Sequence, residues 1–189
     1  MSGRRGAPDP VVRGVRLAVD VGSVRVGVAA SDPDGLVATP VATLPRDNSG
    51  KGRLPSDIAS LVGEVGERRV GVVYVGLPRH MSGSEGAASE AARAYAVQLA
   101  QAVAPVPVRL VDERMSTVSA HHALHASGRS GRSHRQVVDQ AAAVVILQSA
   151  LDAESATGRR PGERVVVDPV QHPPTARGGA AGDARTTVE

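Results

Sequence analysis

The sequence predicts an α/β fold, a mixed five-stranded sheet with helices on both faces. Three observations predict it. Three β-rich segments follow one another near the amino terminus, which gives an antiparallel meander. Strands and helices then alternate, the pattern of parallel pairing through helical crossovers. The segment Val70–Leu77 reads VGVVYVGL, a near-continuous β-branched run typical of a parallel strand covered on both faces.

The elements follow in order. Val15–Val21 is a short apolar run that reads as a buried strand. Gly22-Ser23 supplies a tight turn, and Val24–Ser31 alternates as the second strand of a hairpin. Leu36–Leu44 is the third. The polar, Gly/Pro-bearing Pro45–Leu54 is a loop, and Pro55-Ser56-Asp57 opens a helix to about Arg68. After Val70–Leu77, Ser84–Val103 forms a long Ala-rich helix with Glu85 and Glu90 near its start. Pro105 and Pro107 set off a strand at Val106–Val111. Ser116 caps a helix reaching about Ala126, and the loop GRSGRSHRQ follows. Val137–Asp152 is the last helix, with Ala141, Val144, Val145, Leu147, Gln148 and Leu151 on one face. The order is β-β-β-α-β-α-β-α-α, and no internal repeat is evident.

The folded unit is expected at 14–156. Residues 1–13 are polar and loose. From Thr157 a Gly-, Pro-, Thr- and Arg-rich tail, 157–189, is too poor in apolar residues to order itself. Of the 189 residues, 41% are apolar, enough for a core. Phe and Trp are absent, and Tyr74 and Tyr95 are the only aromatics, so Val, Leu, Ile and Ala must fill it. The same shortage excludes nucleic-acid binding through rows of stacking aromatics. There is no Cys, which excludes disulfides, thiolate metal sites and cysteine nucleophiles. No apolar run has the length of a membrane span, and MSGRRGAPDP has no apolar signal region, so a cytoplasmic protein without membrane contact is expected. Lys51 is the only Lys among 22 basic residues. The arginine bias suits phosphate recognition, but a GC-rich genome accounts for it more readily.

Three acids stand where an apolar pattern would not place them casually. Asp20 lies inside the first strand between Val19 and Val21, Glu113 ends the strand VRLVDE after Asp112, and Asp139 falls in the first turn of the last helix. Each has a structural explanation alone: hairpin hydrogen bonds for Asp20, an ion pair with Arg114 or another nearby Arg for Glu113, the helix dipole for Asp139. Together they form a candidate site, because the first strand sits centrally beside the parallel strands. Clustered carboxylates repel one another, and divalent cations supply the missing charge. Oxygen-only ligands suit Mg²⁺ or Mn²⁺.

The segments LAVDVGSVRVGVAASD, VVYVGLPRHMSGSEG, VDERMSTVSA and VDQAAAVVILQSALD resemble the YqgF family, described as Holliday-junction-resolvase-like proteins and pre-16S ribosomal RNA nucleases. The resemblance spans about 14–156. It implies a ribonuclease-H-like fold and metal-dependent phosphodiester hydrolysis, with a role in trimming the 5′ end of the small-subunit rRNA precursor. The family's acidic positions fall on Asp20, Glu113 and Asp139 as catalytic and metal-holding residues. Ser116-Thr117 stands where two threonines are common. Arg129, Arg132, His134 and Arg135 occupy a loop that is often lysine-rich.

No acid occurs between Glu113 and Asp139, whereas that stretch holds Arg114, Arg129, Arg132, Arg135 and four of the six His. A basic run beside an acidic site suits a substrate gripped by its phosphates, with a solvated loop as the alternative. Arg25 at the hairpin, Arg79, Ser84, Ser116 and Thr117 are further candidate nucleic-acid contacts. Gly83 and Ser84 are expected to present backbone amides to a phosphate at a helix start. His121 and His125 of HHALH share a helical face, but the Glu of a zincin motif is missing. The expected partner is pre-rRNA or structured nucleic acid; a homodimer stays open. Two competing readings are a phosphate-binding hairpin of the actin/hexokinase type, which needs a second domain, and a nucleic-acid-binding module without catalysis. A third keeps the chemistry and changes the substrate to branched DNA.

Overall fold

The computed structural model describes residues 10–50, 54–80, 82–113 and 132–167, with the helical backbone alone for 132–140. Its elements are β1 (Val15–Val21), β2 (Arg25–Ser31), β3 (Ala38–Pro45), α1 (Ser56–Glu67), β4 (Val70–Leu77), α2 (Ala87–Ala102), β5 (Val108–Asp112), α3 (Arg132–Thr157) and β6 (Glu163–Arg164). The sheet order is β3-β2-β1-β4-β5-β6. β1 pairs antiparallel with β2 and parallel with β4, and β4 pairs parallel with β5. This is the mixed sheet predicted from the sequence, with β1 in its interior and one strand more than expected.

Strand alternation sorts the core onto two faces. Leu17, Val19, Val26, Val28, Val73 and Val75 face α1 and α2. Ala18, Ala29, Val72, Tyr74 and Val111 face α3, which presents Ala143, Ile146, Leu147, Ala150 and Leu151. Both tyrosines are buried, and each directs its hydroxyl at an acid: Tyr74 donates to Glu154, Tyr95 to Asp57 at 3.1 Å. Burying an aromatic with a polar tip requires such a partner.

Several boundaries depart from expectation, β5 among them, which runs Val108–Asp112 rather than Val106–Val111. β3 begins at Ala38 rather than Leu36, because Asp32 accepts the Leu36 and Val37 amides within a tight turn. α2 begins at Ala87 rather than Ser84, because His80 N–H donates to Ser84 O and Gly83, at φ 86°, donates its N–H to His80 O, which turns the chain ahead of the helix. α3 begins at Arg132 rather than Val137, since its polar first residues carry no apolar period to read. It runs to Thr157, where Gly158 at φ 66° donates its N–H to Glu154 O at 2.8 Å and stops it.

The sixth strand corrects the expected tail. Glu163 and Arg164 pair with Leu110 and Arg109, and Val165 N–H donates to Val108 O at 2.9 Å. Val165 and Val167 pack on the core, while the Arg109 guanidinium holds the Pro161 and Gly162 carbonyls. The exposed edge of β5 supplies backbone partners that composition does not reveal. Pro10 likewise bridges to Arg159, so order reaches into the expected loose start. Among the described residues, no helix is long and apolar enough to cross a membrane.

Candidate active site

Asp20 stands on β1 opposite Gly27 of β2. Ala18 faces α3, so Asp20, two residues on, points to the same side. Glu113 follows β5 directly, two residues after Val111, which also faces α3. Between them lies β4, where Gly76 pairs with Val111. A Cβ built on Gly76 would lie 2.7 Å from Glu113 Oε1 and 2.6 Å from Ile146 Cδ1. The Glu113 carboxyl therefore reaches across the bare backbone of Gly76, roofed by α3.

The electrostatics agree with this placement. Burial pushes the Glu113 carboxyl up to about 7, and the negative charges of Asp20 and then Asp112 add to the rise. A carboxylate loses solvation when buried and is penalised further by like charge, so both causes favour its proton. The structure thus brings Asp20 and Glu113 close enough to feel one another.

Asp139 belongs to α3, but not to its first turn as expected. With the helix starting at Arg132, it lies about two turns inside. A helix-end effect fades within the first turn, so the dipole explanation for this acid is lost. Position 139 precedes Ala143 by four residues and Ile146 by seven, and both face the sheet. The Asp139 side chain lies outside the described residues. Among the described residues, no three His or carboxylate side chains are placed to hold one metal. Asp20 and Glu113 are the described pair, and their donor chemistry, oxygen only with a repulsion that a cation would relieve, fits Mg²⁺ or Mn²⁺.

The basic and polar candidates fare differently. Arg79 donates to Glu85 at 2.8 Å and lies 3.9 Å from Asp112. Glu85 is shared with Arg93, which also holds Glu163 at 3.0 Å. Arg79 is thus a bridge between the β4–α2 loop and the end of β5. The expected amide cradle at Gly83 and Ser84 is absent. Gly83 N–H donates to His80 O at 2.8 Å, and Ser84 N–H faces Ser82 Oγ at 3.4 Å. Both amides are spent inside the loop, and α2 starts only at Ala87. Arg25 opens β2 opposite Pro45, at the same end of the sheet as Asp20. Arg114, Ser116, Thr117, Arg129, the HHALH cluster and the expected helix from Ser116 lie outside the described residues. So do the side chains of Arg132 and Arg135, whose backbones belong to α3.

Sequence reasoning missed Gly76. Its signal was present: a glycine inside a β-branched strand marks a close approach. Nothing in the sequence said what approaches.

The family model described as "RuvX: Holliday junction resolvase" matches residues 14–153. The chain belongs to this family. It is the family also called YqgF, to which the four motifs pointed. The RuvX match runs from just before β1 into α3 and includes Asp20, Gly76, Glu113 and Asp139. Curated relatives agree. A protein of Kineococcus radiotolerans is 54% identical over 156 residues, covering 82% of this chain and 80% of its own. One of Streptomyces coelicolor is 53% identical over 156 residues, covering 82% and 90%. Both are described as "Putative pre-16S rRNA nuclease". Among solved structures, the RuvX chain is similar to Thermus thermophilus RuvC in complex with a Holliday junction substrate. That likeness has a TM-score of 0.45 at 15% identity, over 78% of this chain and 99% of that one.

Proposed function

We propose that this chain is a metal-dependent nuclease that hydrolyses phosphodiester bonds in RNA and trims the 5′ end of pre-16S rRNA in the cytoplasm. One observation supports the chemistry: Asp20 on β1 and Glu113 just after β5 both lie on the α3 side of the sheet, with Glu113 raised to about 7 by burial and by the charge of Asp20. Strongly perturbed acids cluster at functional sites. Mg²⁺ or Mn²⁺ held by Asp20, Glu113 and Asp139 would supply an activated water and charge stabilisation for the leaving oxygen.

The protein's own groups have separate tasks. Asp20 and Glu113 hold the charge that attracts the cation. Gly76 leaves room for the Glu113 carboxyl, and Ile146 covers it from α3. Arg25, Arg114, Arg129, Arg132 and Arg135, with Ser116 and Thr117, are the proposed grip on the phosphate backbone, which fixes register without reading sequence. The relatives' shared description supports RNA as the substrate.

The family description favours a second substrate, branched DNA. A single comparison separates them. Purified full-length chain with Mn²⁺ is expected to cleave precursor rRNA near its 5′ end and to leave four-way DNA junctions intact, and Asp20→Asn is expected to abolish the cleavage. Preferential junction cleavage would replace the RNA reading. Cleavage surviving both Asp20→Asn and excess chelator would sink the metal mechanism.

A further inference from the structure

Three consecutive carbonyls of the β1–β2 turn are held by one short segment. Arg46 Nη1 donates to Gly22 O at 3.1 Å, Asn48 Nδ2 to Ser23 O at 3.2 Å, and the Arg46 N–H to Val24 O at 2.9 Å. The turn begins two residues after Asp20 and already carries an internal bond, Gly22 N–H to Arg25 O at 2.9 Å. None of Gly22, Ser23, Val24 and Arg25 takes the positive φ that the favoured two-residue hairpin turns use. Three further bonds from one neighbouring segment hold it in place.

The segment is anchored on the opposite face of the sheet. The Arg46 guanidinium lies over the Tyr95 ring, 4.5 Å from its centroid, a favourable cation–π placement. Its Nε is 3.9 Å from Asp57 Oδ2, and the Asp57 side chain is fully buried. Tyr95 donates its hydroxyl to that same Oδ2 at 3.1 Å. A separation of 3.9 Å is charge pairing, not a hydrogen bond. The directed side-chain bond of Arg46 therefore goes to the turn, while Tyr95 and Asp57 aim the guanidinium. Asp47 completes the arrangement by accepting the Ser56 N–H at 3.0 Å, which ties the segment to the start of α1.

We propose that Arg46 is a positioning residue for the catalytic centre. It locks the β1–β2 turn to the α1–α2 side of the sheet and so fixes the end of β1 from which Asp20 reaches the site. The clamp crosses the sheet: Tyr95 and Asp57 lie on the α1–α2 face, and Asp20 on the α3 face. The proposal rests on the reading of Asp20 as a metal-holding residue of a nuclease. Small displacements of a reacting group are costly in rate, so the clamp acts on turnover and not on substrate affinity.

The test uses the full chain with Arg46→Lys and Arg46→Gln, beside wild type. An ammonium keeps the charge near Asp57 and Tyr95, but it lacks the planar fork that also reaches Gly22 O. Arg46→Lys is expected to keep a thermal midpoint near wild type. Its amide exchange over 22–25 is expected to rise about tenfold with α2 unchanged, and kcat on RNA with Mn²⁺ to fall about tenfold with KM within about twofold. Arg46→Gln should show the same split more strongly. Wild-type exchange and kcat in Arg46→Lys overturn the proposal. Exchange rising equally throughout the chain, with a fallen midpoint, also overturns it, because Arg46 would then be a general stabiliser. If wild type cleaves no nucleic acid, the nuclease reading fails on its own, and local exchange at 22–25 still decides the clamp.

Discussion

Gly76 has no side chain where Glu113 places its carboxyl: a Cβ there would lie 2.7 Å from Glu113 Oε1. The same Cβ would meet Ile146 Cδ1 of α3 at 2.6 Å. One missing methyl thus admits both the acid and the helix that covers it. In an open strand, replacing Gly by Ala stabilises by roughly 0.5–1 kcal/mol. Here both atoms are side-chain tips that can turn aside, so the overpacking disturbs the placement of the acid more than the fold. Gly76→Ala is expected to weaken Mn²⁺ binding with little change in thermal midpoint, read by metal titration and by calorimetry. Unchanged Mn²⁺ binding would show that the space over Gly76 is not needed.

Glu113 gives a pH dependence with a definite sign. Folding raises its pKa from the ordinary 4.5 to about 7. The folded state therefore binds this proton more tightly, and its contribution to stability is complete below about pH 4.5. That contribution is lost as pH rises through about 7. In metal-free protein, Glu113→Gln should remove this loss and raise stability at pH 8 by on the order of 1–3 kcal/mol relative to wild type. Denaturation at pH 5 and pH 8 checks it: the variant's advantage must grow with pH.

Metal binding should run the opposite way. A ligand carboxyl must release its proton before it coordinates. Mn²⁺ affinity is expected to strengthen as pH rises through about 7, and Glu113→Gln should abolish that dependence. A flat affinity between pH 6 and pH 8 in wild type would remove Glu113 from the metal set.

Asp20→Asn tests the trade between stability and function. The charge of Asp20 is one of the causes that raise Glu113. Its loss should relieve repulsion and leave the metal-free fold at least as stable as wild type, while cleavage disappears. A variant that is inactive because it is unfolded would contradict this, and circular dichroism distinguishes the two.

Far from the acids, Arg16 and Glu154 form a buried ion pair at 2.8 Å between β1 and α3. Tyr74 donates to the same carboxylate, and Arg16 also holds the Gly14 carbonyl. Removing one partner of such a pair leaves an uncompensated buried charge and costs about 3–5 kcal/mol. Glu154→Ala is expected to lose stability of that size in chemical denaturation. A loss under about 1 kcal/mol would mean that water reaches Arg16 in the folded state.

Sequence alone determined much of this protein. The run VGVVYVGL marked β4 at its observed bounds, because β-branched residues without polar alternation are stable only when covered on both faces. The hairpin around Gly22-Ser23 and the start of α1 at Ser56 were equally legible, since turn and helix-start chemistry is local. Asp20 and Glu113 stood out as acids within apolar strands. Tertiary structure decided what those acids do to one another, because a raised carboxyl depends on burial and on neighbours far away in the chain. It also decided that Ser84 closes a loop and not a phosphate cradle, that residues beyond Thr157 complete the sheet, and that Arg46 reaches Gly22. Each of these is a backbone group finding a partner across space, and no pattern of side chains along the chain records which partner it finds.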